Sequence, residues 1–225
     1  MAKEIDIVVV GAGPVGLFTV FEAGLLGLNN ILHRRTAVQL GAPQAINIMN
    51  DELAFFPLIY FPVVNSYKLS KSVQIKLTDY MQNGGTILFD TRDPLTAENW
   101  ESLESLIYQI NLPELIPLPK SHVLTKTFYL LSEFPGRWTG GTIWIERPGE
   151  RVNDGVSPII IGGHDWAGAW AVDEYLRPIN PVIPGGNRQR ELAFRFGVNL
   201  VMYVLTGNYK ADQVHAPSIL ERLGK

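Results

Sequence analysis

The stretch IDIVVVGAGPVGLFTVFEAGLLGL, residues 5–28, decides the reading of this chain. Residues 5–10 are a short, almost wholly apolar run, the pattern of a strand buried on both faces of a parallel sheet. Gly11, Gly13 and Gly16 follow as G-x-G-x-x-G. Phe18, Phe21, Leu25, Leu28 and Leu32 then recur every three or four positions, which predicts a helix over 15–35. Strand, glycine turn and helix in this order suit an anion. The first glycine permits a tight turn, the second lets backbone approach a pyrophosphate, and the third packs helix on strand, with the helix N-terminus facing the phosphates. Two readings stay open: a plain strand-to-helix turn, and a retained dinucleotide site on Gly11, Gly13 and Gly16.

The uncharged run between Asp6 and Glu22 has 15 residues, with three glycines and Pro14 inside it. A spanning helix needs about 18 to 20. Only Lys3 precedes the run and no small-x-small cleavage site follows it cleanly, so neither a membrane span nor a secretory signal is expected. The expected location is the cytoplasm or the soluble face of a membrane complex.

Outward from this stretch, strand and helix patterns alternate. Ile46 and Ile48 mark a short strand, LIYFPVV (58–64) another, and Ser70 caps a helix over 71–82. TILF (86–89) is a strand, and Thr96 caps a helix over 97–110 carrying Trp100, Leu103, Ile107 and Ile110. Pro113, Pro117 and Pro119 make an extended link. TFYLL (127–131), TIWIE (142–146) and IIIGG (159–163) read as strands, and residues 189–205 as an apolar core helix stopped by Gly207. The pattern predicts a single α/β domain over residues 1–225, a mostly parallel sheet flanked by helices.

The composition excludes several functions. Across 225 residues there are no cysteines, which removes disulfides, thiolate metal sites and a cysteine nucleophile. Lys+Arg 19 against Asp+Glu 22 gives a formal charge of −3, which argues against nucleic acid as a partner. No H-x-x-x-H, H-E-x-x-H, G-x-S-x-G or Walker A motif occurs, and no metal is expected.

In a parallel sheet ligands gather at the carboxyl ends of the strands. Gly11–Gly13, Asp90–Asp93 and Gly162–Trp166 are therefore expected along one rim. Asp90, His164 and Asp165 are the candidate acid–base residues, and Arg92, Asp93 and Trp166 the candidate ligand rim. Each has a structural alternative: Asp90 as a turn cap, Arg92 as its ion-pair partner, Trp166 and Trp170 as core. His33-Arg34-Arg35 reads as a solvated helix end.

Residues 1–28 resemble the first segment of the ferredoxin–NADP reductase and thioredoxin reductase flavoproteins, which implies FAD on Gly11, Gly13 and Gly16. The resemblance stops there. That group continues with a strand ending in an acidic ribose ligand, whereas residues 28–40, LNNILHRRTAVQL, hold no acid and read as more helix. From about Ala23 the chain resembles something else. GLNNILHRRTAVQLGAP, DELAFFPLIYFPV, YMQNGGTILFDTRD, HVLTKTFYLLSEFPGRW, IIIGGHDWAGAWA and RQRELAFRFGVNLVMYVLTGNYKADQVHAPSILERLG resemble the domain-of-unknown-function family 4159. That module closes large bacterial membrane proteins with an aerotolerance-regulator-like N-terminal region. The resemblance implies a flavodoxin-like, class I glutamine amidotransferase-like fold for residues 29–225. Amidotransferase chemistry needs a cysteine, so the fold does not bring the reaction with it.

The expectation is a non-catalytic interaction or ligand-binding module. It would take a protein partner or small polar ligand, with no cofactor. The alternative is an FAD- or NAD(P)-binding oxidoreductase segment, and a third reading is a cysteine-free hydrolase.

Overall fold

The computed structural model describes residues 7–10, 15–63, 69–91, 103–105, 107–110, 112, 114–147 and 156–207, with side chains from residue 21 onward. Among the described residues seven strands form one sheet: β1 (Ile7–Val10), β2 (Gln44–Ile46), β3 (Leu58–Val63), β4 (Thr86–Thr91), β5 (Leu115–Pro117), β6 (Trp144–Glu146) and β7 (Ile159–Gly162). Their order is β2-β1-β3-β4-β7-β6-β5. Where the sequence predicts a mostly parallel sheet, the structure has a mixed one. β2, β1, β3, β4 and β7 run parallel, and β6 and β5 add antiparallel pairings at one side. Short strands, prolines and a late antiparallel return carry no period that separates the two cases beforehand.

Successive side chains of a strand face opposite sides, and this divides the core in two. Leu58, Tyr60, Leu88 and Ile160 belong to one cluster with Phe21, Leu25, Leu28 and Leu32 of α1 (Val15–Arg35) and Phe196 of a late helix. Ile59, Phe61, Ile87, Phe89, Ile159 and Ile161 form the other, covered by α2 (Lys71–Gln82) and by Leu103 and Ile110. Both faces of β3, β4 and β7 are therefore buried, which explains their continuous apolar runs.

α2 occupies the residues expected of it, and its Ser70 cap accepts Val73 N–H at 3.4 Å. The late helix, α4 (Gly186–Thr206), starts three residues earlier than its periodicity suggests. A five-residue helix, α3 (Trp166–Trp170), follows β7. It has too few residues to show a period. Helical residues 103–105 and 107–109 fall within the expected 97–110; Thr96 and Trp100 lie outside the described residues.

Four local expectations are corrected. Residues 127–131 form no strand. The amide of Asn199 in α4 takes that segment's backbone groups instead, accepting Phe128 N–H at 3.2 Å and Tyr129 N–H at 2.7 Å, and donating to Leu124 O and Tyr129 O at 2.9 Å each. Helix does not continue through 28–40. It ends at Arg35, where the Thr36 hydroxyl bonds Leu32 O at 2.8 Å. The proline link holds β5, because Ile116 pairs with Ile145 at the sheet edge. The basic helix end is not simply solvated either: Arg35 makes a bidentate bridge to Glu191, at 2.9 and 2.8 Å. Among the described residues no helix is long and apolar enough to cross a membrane.

Candidate functional site

Asp90 lies near the carboxyl end of β4, in register with Gly162 of β7. Gly162 has no room for a side chain: a Cβ there would lie 2.3 Å from the Trp166 ring and 2.7 Å from His164 Nδ1. Beyond it the chain turns through Gly163, His164 and Asp165 into α3. Asp165 is left-handed at φ 49°, an uncommon conformation for a residue with a Cβ. Its own carboxylate caps α3 by accepting Gly168 N–H at 3.2 Å.

The turn is held from below by Asp90. One carboxylate oxygen accepts the backbone N–H of His164 and of Asp165, both at 3.1 Å. The other accepts Trp166 N–H and the Tyr60 hydroxyl, both at 2.6 Å. Asp90 is 1% exposed. Burial, then the nearby Asp165 carboxylate, push its carboxyl up to about 8, although the hydroxyl and backbone donors pull the other way. The same burial, with the two carboxylates, holds the Tyr60 hydroxyl well above its usual range.

Asp165 is buried too, and Arg137 reaches it at 3.0 Å while donating to Pro181 O at 3.2 Å. His164 lies flat on Trp166, ring centroids 4.5 Å apart, and its Nε2 sits 3.2 Å from Gly141 O. A carbonyl partner places the ring proton on Nε2, which leaves Nδ1 as a bare acceptor, and it has no hydrogen-bond partner. Burial pushes this imidazole down to about 4, so it is neutral at pH 7. Trp166 stacks in turn on Phe196 at 4.5 Å, and Trp170 donates to Ala193 O at 2.8 Å. Both tryptophans are fully buried.

The fold thus brings Asp90, His164, Asp165 and Trp166 together, but under cover, with the carboxylates engaged. Gly11, Gly13, Arg92 and Asp93 lie outside the described residues, and Gly16 lies in the first turn of α1. β1, β3, β4 and β7 are parallel, so their carboxyl ends share one edge. Among the described residues no three His, Asp or Glu side chains gather as a metal-binding group. Sequence reasoning missed Tyr60 as a part of this cluster. Tyr60 carried a signal: two residues before Pro62, the register partner of Asp90, it faces the same side of the sheet.

The residues present do not fit a dinucleotide's ribose. β2 beside β1 ends at Ile46 and is followed by Asn47 where an acid is needed. One oxygen of the nearby Asp51 carboxylate accepts Asn47 N–H at 2.6 Å. A cavity of about 490 Å³ lies at the opposite, amino edge of β3 and β4, lined by Glu52, Phe56, Lys76, Asp79 and Tyr80 among others.

Parts of the chain are similar to curated ferredoxin–NADP reductases. The enzyme of Lactococcus lactis subsp. cremoris (strain MG1363) is 35% identical over 71 residues, 32% of this chain and 21% of that protein. The enzyme of Anaplasma phagocytophilum (strain HZ) is 72% identical over 25 residues, 11% of this chain and 7% of that protein. The chain therefore spans only a small part of the length of either reductase. Residues 11–205 match a family covering most of the chain, and on that match the protein belongs to the family described as Domain of unknown function (DUF4159).

Proposed function

We propose that this chain is a non-catalytic α/β module that binds a protein partner or a small polar ligand. It belongs on the soluble side of a bacterial membrane-associated assembly, and its sheet is a flavodoxin-like, class I glutamine amidotransferase-like variant. One observation carries the reading. Both oxygens of the buried Asp90 carboxylate are taken by the Tyr60 hydroxyl and three backbone N–H groups, so the central acid of the candidate cluster is spent on holding a turn. A general acid or base needs a free position facing a substrate. With no cysteine in the chain, amidotransferase-type nucleophilic attack has no agent either. Net charge −3 turns the module away from nucleic acid.

The reductase matches favour a second reading, an FAD- or NAD(P)-binding oxidoreductase segment. Absorbance decides between them. The protein is incubated with excess FAD, passed through gel filtration and scanned in the visible. A colourless protein is expected, and flavin retained at one per chain would establish the second reading instead.

A further inference from the structure

The loop joining α3 to α4 presents apolar side chains that stay exposed among the described residues, with only the Arg177 guanidinium lying over the Tyr175 ring, 4.8 Å from its centroid. Tyr175 is 68% exposed and Ile179 51%, and Leu176 and Ile183 are exposed as well. Leu176 is held left-handed at φ 62°, a strained conformation for a leucine. The loop is nonetheless tightly fastened. The Asp173 carboxylate accepts Tyr175 N–H at 2.9 Å and Arg177 N–H at 2.8 Å, and Ile179 N–H bonds Ala171 O at 3.0 Å. Arg190 of α4 donates to Ala169 O of α3 and to Asn180 O within the loop. A fixed apolar protrusion loses little conformational freedom on docking. Its exposed apolar area is on the order of 400 Å², about the nonpolar share of one side of a standard interface of roughly 800 Å².

The charges beside it select the occupant. Glu174 begins the exposed stretch and Arg188 follows it in the first turn of α4. Neither makes an ion pair among the described residues. A bilayer would favour a uniformly basic rim, which Glu174 breaks. Opposite charges flanking one exposed stretch of the chain suit pairing with the same stretch on a copy turned by a two-fold axis, where each contact occurs twice. We propose that the 174–188 loop is the centre of a two-fold interface between two copies of this chain, with Glu174 of each copy meeting Arg188 of the other.

Sedimentation equilibrium of the whole chain up to about 100 µM tests this directly. The expected mass is twice the 25.1 kDa of one chain. The double variant Tyr175→Ser/Ile179→Ser, whose side chains are exposed and leave the core intact, is expected to weaken association at least about tenfold. Glu174→Arg and Arg188→Glu should each weaken self-association, and mixing those two single variants should restore a dimer. A wild-type chain that stays monomeric, or a dimer that the serine double variant leaves unchanged, overturns the interface. A dimer indifferent to both charge reversals, or a mixture that fails to associate, overturns the two-fold pairing.

Discussion

Asp90 receives the Trp166 backbone N–H at 2.6 Å, although 76 residues of chain separate them. The bond ties the end of β4 to the turn after β7, and the same carboxylate carries the Tyr60 hydroxyl. Asp90→Ala would leave three buried N–H groups and a buried hydroxyl without an acceptor. Unsatisfied buried donors cost about 1–3 kcal/mol each, so a loss of about 3 kcal/mol or more is expected, against typical totals of about 5–15. Urea unfolding measures it. An unchanged midpoint and slope would mean that the turn stands without Asp90.

Three buried groups shape the pH dependence. The Asp90 carboxyl is raised from 3.8 to about 8, so below that the folded state holds a proton, shared across the 2.6 Å contact with the Tyr60 hydroxyl, that the unfolded chain releases. Its stabilisation is complete below about pH 4 and is lost as pH rises through 8. His164 and His122 are lowered by burial from 6.5 to about 4. Their stabilisation is complete above 6.5 and is lost as pH falls through 4. Among the described residues two histidines outweigh one carboxyl between 4 and 6.5, and Asp90 dominates above that. The melting temperature should therefore peak near about pH 6.5 and decline toward 8. In Asp90→Asn the alkaline decline should vanish; its persistence there would assign it to other groups.

Gly27 of α1 faces the backbone of α3. A Cβ at Gly27 would lie 2.0 Å from Trp170 O, and one at Gly24 2.3 Å from Ala167 O. In an open helix position Gly→Ala stabilises by about 1 kcal/mol. Here a carbonyl rather than a movable side chain blocks the methyl, so Gly27→Ala should destabilise by about 1–3 kcal/mol. Thermal melts of the variant give the sign, and a higher melting temperature would show that α1 and α3 are not in close contact.

Asn199 is buried in α4 and makes four hydrogen bonds to residues 124–129. Asn199→Leu keeps the approximate size and removes them all. Amide exchange at Phe128 and Tyr129 should speed up by at least about tenfold, on the order of the loss of one hydrogen bond. Unaltered protection at both amides would show that other groups hold the segment.

Much of the fold is legible because its code is local. The apolar runs 58–63, 86–89 and 159–162 are strands buried on both faces, and Ser70 with its following period marks α2 to the residue. Parallel pairing then puts the ends of β4 and β7 on one edge, which gathers Asp90, His164 and Asp165 without further information. The 127–131 segment was not legible. Its apolar, β-branched and aromatic residues suit a strand, and only the approach of Asn199 from α4 supplies different partners for its backbone.

The sequence by itself determined the α/β class, the shared carboxyl edge and the absence of thiol chemistry, since these follow from periodicity, strand direction and composition. Tertiary structure alone decided what the polar residues on that edge do. An aspartate after an apolar strand reads equally as a general base or as a cap. The difference lies in which donors reach it and how much water remains. Here Tyr60, 30 residues before Asp90, and the turn 74–76 residues after it meet on one buried carboxylate. No local pattern encodes that meeting, because packing across the whole sheet brings those donors together.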